Sequence, residues 1–139
     1  MPMTAPTILP QGWAERVQQA AFSQTSPDRP ITVAIVDGTG WLSLFKRMDG
    51  APIGSIDTAI AKARTAAWFG FATRDLAGAV ADGQVLATVQ TAASQPLTFV
   101  AGGAPIRDAQ GIVIGAIGVG GGMPDEDHAI ATQAVAALG

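Results

Sequence analysis

The chain has no cysteine, no tyrosine and a single histidine, His128. The missing thiols exclude disulfides, thiolate metal sites and a cysteine nucleophile together; the redox compartment stays open, with the cytoplasm as the default expectation. One imidazole makes no cluster of metal ligands, and Ser55 reads as a helix cap before it reads as a nucleophile. Charge is scarce as well: charged residues make up 14% of the chain, against about 25% in an average soluble domain. The eight Lys and Arg are scattered, and with a net charge of -3 the balance speaks against a nucleic-acid partner, which needs clustered cations. No apolar run reaches the roughly 18 residues of a membrane span. The first ten residues have no basic stretch and are broken by Pro2, Pro6 and Pro10, so neither a signal peptide nor a membrane anchor is expected.

In place of charge the chain carries alanine and 17 glycines, residues that let backbones approach closely. Copies of the same chain are the natural cover for so weakly charged a surface, so a homo-oligomer is expected. The 139 residues fit one domain, with residues 1–10 as a loose arm. Trp13, Val17, Ala20 and Ala21 recur at helical spacing and predict a helix over 11–23. The β-branched run 31–36 and the apolar run 41–45 flank Asp37-Gly-Thr-Gly40 and predict a β-hairpin. Ser55 opens a helix to Phe69, with Ile56, Ile60, Ala63 and Ala67 as its packing stripe; Thr73 opens a shorter one towards Ala81. Runs 97–101, 104–107 and 112–119 read as three strands with short, glycine-containing connections, hence antiparallel neighbours. Pro124 suits the first turn of a last helix over 124–138.

Several side chains are candidates for chemistry. Lys62 shares a helical face with Thr58, Thr65 and Phe69, where an ammonium and hydroxyls meet a ligand carboxylate, or where desolvation turns the amine into a base. A solvated or intersubunit lysine is the plainer alternative. Arg47 and Asp49 stand in a glycine- and proline-bounded loop, either presenting a guanidinium fork to a carboxylate or merely pairing to fix the loop. The loop Gly120-Gly-Gly122 before the last helix has the form of an anion cradle, but Asp125, Glu126 and Asp127 fill that helix's first turn and would repel phosphate. His128 there reads as helix surface or as a ligand contact.

Taken together, Val36-Asp-Gly-Thr-Gly40, Phe45-Lys-Arg-Met-Asp-Gly-Ala51, Ile60-Ala-Lys-Ala-Arg-Thr-Ala66, Gly102-Gly-Ala-Pro-Ile-Arg-Asp108 and Gly115-Ala-Ile-Gly-Val-Gly-Gly-Gly122 resemble the GlcG/HbpS-like family, whose relatives include domains fused to corrinoid adenosyltransferases. The likeness spans about residues 31–138. It implies an α+β, profilin-like fold, a five-stranded antiparallel sheet flanked by helices, assembled as a homo-oligomer. Some relatives bind haem, whose iron takes His, Cys, Met or Tyr; the first helix here lacks the histidine that ligates haem in the corrinoid-pathway relatives. Gly120 and Glu126 stand where the family usually has serine and glutamine, which puts an extra carboxylate near the site and favours a cationic ligand group or acid–base chemistry. The resemblance implies a small-molecule-binding domain for haem or another planar or carboxylate-bearing compound, with Arg47, Asp49, Thr65, His128 and the Gly102-Gly103 turn as binding residues. The alternatives are a cofactor-free isomerase, lyase or hydrolase acting on a small organic acid or aromatic compound with Lys62 and Glu126 as acid and base, and an oligomeric scaffold. No metal is expected.

Overall fold

A computed structural model describes residues 8–139. Four helices and four strands follow in the order α1 (Gln11–Phe22), β1 (Thr32–Asp37), β2 (Leu42–Arg47), α2 (Ser55–Phe69), α3 (Thr73–Leu76), β3 (Gly103–Arg107), β4 (Val113–Gly120) and α4 (Pro124–Ala136). Two short 3-10 turns lie between α3 and β3. The strands form one antiparallel sheet in the order β2-β1-β4-β3. The β1–β2 and β3–β4 pairings follow from their tight connections: Asp37 Oδ1 accepts from Thr39 N, and Asp108 Oδ1 accepts from Gln110 N, both at 2.9 Å.

Alternation along the strands gives the sheet two unlike faces. Val33, Ile35, Ile106, Ile117 and Val119 point to one side, where they meet Val17 and Ala21 of α1 and Ala131 and Ala134 of α4. Ala34, Val36 and Ala116 point to the other and meet α2. That second face is built from small residues, and α2 answers with Ser55, Ala59, Ala63 and Ala66, all buried. At Gly118 a Cβ would run into the Ala59 carbonyl, so helix and sheet touch backbone to backbone. This corrects the expected packing stripe: Ile56 and Ile60 are only half-buried, because the close approach selects the smallest side chains rather than the most apolar.

Among the described residues the sheet has four strands, not five. Residues 97–101, expected as a strand, are not one. Side-chain hydroxyls hold this segment: Thr98 N donates to Thr65 Oγ1 at 3.0 Å, and Val100 O accepts from Thr73 Oγ1 at 2.7 Å. The hydroxyl of Thr73 therefore serves a distant loop rather than its own helix, and Ser55 Oγ likewise bonds Thr32 Oγ1 at 2.7 Å instead of capping α2. Pro124 does open α4. Of the arm expected over 1–10, residues 1–7 lie outside the described residues, while Leu9 is buried in the core.

Candidate functional site

Lys62 lies on the buried face of α2, and its route to a partner begins with a break in the sheet. Gly103 is opposite Gly118, which places Gly102 opposite Val119. Val119 N donates to Gly102 O at 2.9 Å, but Gly102, at φ +134, has left the ladder, and the reciprocal bond is made by another group. Lys62 Nζ donates to Val119 O at 2.9 Å in its place. A Cβ on Gly102 would stand 2.9 Å from Lys62 Nζ, and one on Gly103 would collide with the Lys62 carbonyl. The two glycines thus close directly over the lysine.

Past this point the ammonium reaches the helical layer on the far side of the sheet and pairs with Asp127 Oδ2 at 3.4 Å. Asp127 Oδ1 accepts from Gly122 N at 3.2 Å. The side chains are 5% and 1% exposed, too little for water to screen the charges. Burial pushes the Lys62 ammonium down from the usual lysine range, opposed by the Asp127 charge. Burial pushes the Asp127 carboxyl up, opposed chiefly by Lys62.

Asp127 also forms part of the wall of a hollow of about 450 Å³. The hollow lies between the α1–β1 loop, the turn after β2 and the glycine-rich entry to α4, and Asp28, Arg29, Gly122, Met123 and Glu126 share its lining. Arg29 Nη2 and Glu126 Oε2 stand 3.7 Å apart across it, both well exposed, so their attraction is largely screened. With Lys62 set against Asp127 behind the wall, Asp28 and Glu126 against Arg29 leave the lining a balance of one negative charge.

The carboxylate that meets Lys62 is therefore that of Asp127, while Glu126 faces Arg29. Of the expected site residues, Glu126 alone lines the hollow; Lys62 stands behind it, joined through Asp127. Gly102 and Gly103 cover Lys62 rather than line an opening. Thr65 is fully buried and spends its hydroxyl on Ala61 O and Thr98 N. Arg47 and Asp49 are exposed, with no ion pair between them. His128 is half-buried, and its Nδ1 is enclosed without a hydrogen-bond partner. Sequence reasoning missed Asp28 and Arg29, whose loop carries no motif, and Met123, which follows the glycine-rich Gly120-Gly-Gly122 directly. It also treated Asp127 only as part of an acidic first turn, although its i, i+4 spacing to the apolar Ala131 marks the inward face of α4. Among the described residues, no group of three His, Cys, Asp or Glu side chains is placed to hold a metal, and no helix is long and apolar enough to cross a membrane.

A family model described as haem-degrading protein HbpS-like matches residues 11–136. A 15.0 kDa protein encoded between dhaT and dhaS of Citrobacter freundii is 35% identical over 106 residues, 76% of this chain and 74% of that one. The corrinoid adenosyltransferase PduO of Salmonella typhimurium is 36% identical over 131 residues, 94% of this chain but only 36% of its own length. Among solved structures, a PduOC–haem complex superposes with a TM-score of 0.85 at 30% identity, covering 94% of each chain. HbpS superposes with a TM-score of 0.86 at 32% identity, covering 99% of this chain and 94% of that one.

Proposed function

The chain belongs to the HbpS-like family, and from that premise we propose that it is a small-molecule-binding domain whose ligand occupies the hollow walled by Asp127. The observation that carries this reading is the buried carboxylate itself. A charge pair taken out of water is costly to keep, and this one fixes an acid in the wall of an open, polar concavity, where perturbed titratable groups mark binding sites more often than elsewhere. With Asp28 and Glu126 beside it, the wall favours a ligand bearing a cationic group, such as a small amine.

Haem, which this family membership raises, does not fit the same hollow. Of the His and Met iron donors among the described residues, only the Met123 thioether is in the lining, His128 is not, and the carboxylates there would oppose haem propionates. The likeness to the PduOC–haem complex favours haem binding elsewhere on the chain as a second reading. Titration of the purified protein with butylamine, followed by the amide resonances of Gly121, Gly122 and Asp127, tests the first reading. Saturable shifts weakened several-fold in Glu126→Gln are expected, and silence at those amides refutes it. Titration with hemin tests the second, since a ligated iron gives a Soret shift that a His128→Ala substitution abolishes and Met123→Ala leaves in place.

A further inference from the structure

Two residues beyond Lys62, the same helix buries a second cation with no anion to meet it. Arg64 is 8% exposed. Its guanidinium carbon lies 5.6 Å from the centre of the Trp41 ring and 5.8 Å from that of Trp68, so the two indoles hold the fork in place, and Trp68 is itself fixed by Nε1 donating to Thr39 O at 2.7 Å. Among the described residues the fork makes one hydrogen bond, from Nη1 to Pro96 O at 3.3 Å, and Nε is buried with no acceptor. No carboxylate lies within ion-pair distance of it among those residues, and residues 1–7 contain none. Cation–π contact with the two indoles offsets only part of what an unpaired buried charge costs. Burial alone lowers the Arg64 pKa, with no opposing charge.

Arg64 borders a hollow of about 540 Å³ between α2 and residues 95–98. Ile60, Pro96 and Leu97 give it an apolar wall, and Thr58 and Thr98 supply hydroxyls; Asp57 stands at the same lining as the one opposing charge. We propose that this hollow is a second small-molecule site, which takes an organic monocarboxylate with its head on the Arg64 guanidinium and its apolar part against Ile60, Pro96 and Leu97. A guanidinium fork is matched to a carboxylate in shape as well as charge, and the ligand supplies the anion that the fold leaves out. Two sites of opposite preference then flank the chain, the acidic hollow at α4 and this one at α2.

Benzoate is the probe, and benzamide its neutral isostere. The full chain is titrated with each while the indole N–H resonances of Trp41 and Trp68 are followed. Benzoate is expected to shift both saturably, with a Kd on the order of 1 mM, and benzamide to leave them in place. Arg64→Gln removes the response and Arg64→Lys, which keeps the charge without the fork, weakens it about tenfold. Asp57→Asn, which takes away the opposing carboxylate, tightens binding several-fold, an effect that a merely structural Arg64 would not produce. Equal shifts with benzoate and benzamide overturn the proposal, as does silence of both indoles, the result expected if a second copy of the chain covers Arg64. If Arg64→Gln does not fold, the benzamide contrast and Asp57→Asn decide. Glu126→Gln leaves this titration unchanged, which separates it from the acidic hollow.

Discussion

Lys62 and Asp127 meet through 3.4 Å of protein interior, and the fold carries this pair at a cost. Each partner still answers the other's charge, so the effects of Lys62→Met and Asp127→Asn should depart from additivity by about 1–3 kcal/mol, with the double substitution as stable as the native chain or more so. Urea denaturation of the four proteins closes that cycle; additive single effects would mean that the pair is not coupled. The pH dependence follows from the directions of the two shifts. The Asp127 carboxyl is raised, so the folded state holds that proton more tightly, and its contribution is fully present below the unfolded carboxylate value and lost as pH rises through the folded value. The Lys62 ammonium is lowered, so its penalty is present below the folded value and fades as pH climbs towards the ordinary lysine range. Between these limits the native chain is penalised from both sides, and its stability relative to the double variant should fall as pH leaves the acid range and recover only in part in strong alkali, where the Lys62 penalty fades and that of Asp127 remains.

At the scale of elements, the segment 97–101 shows what pattern reading catches and what it misses. Leu97-Thr-Phe-Val100 has the composition of a strand, but strand identity depends on where the backbone bonds go, and here they go to the hydroxyls of Thr65 and Thr73. Thr65→Val should therefore leave a donor at Thr98 without its partner, costing about 1–2 kcal/mol. Amide exchange at Thr98 should quicken much more than in β1, and equal protection of the two would contradict this. The β1–β2 and β3–β4 pairings were legible because Asp37-Gly-Thr-Gly40 and Asp108-Ala-Gln-Gly111 are local turn signals. The packing face of α2 was not, since it depends on Gly118 and Ala59, residues distant in sequence that touch. Lys62 stood out as a candidate, but its partner was one residue from the expected Glu126, a difference set by the rotation of α4 against the sheet. Helical spacing puts Arg64 on one face with Asp57 and Trp68 but does not show its enclosure, because the second indole, Trp41, comes from the entry to β2.

For the whole molecule, the shortage of charge noted in the sequence has a structural counterpart. Strand β2 lies at one edge of the sheet, and Trp41 and Leu42 at its start remain about half exposed. An exposed apolar edge strand is a template for pairing unless charge, proline or a covering element protects it. Lys46 and Arg47 guard the far end of β2, which leaves the Trp41–Leu42 end open for a second copy. The mass of the purified protein by light scattering should therefore be a multiple of 14.1 kDa, and Leu42→Lys should lower it without unfolding the chain, because Leu42 lies outside both core clusters. A native chain that scatters as a single copy would remove the assembly argument, and the low charge would then need another cause. An unchanged mass for Leu42→Lys would instead place the contact on a different surface, with the half-exposed Ile112, just before β4, as the next position to substitute.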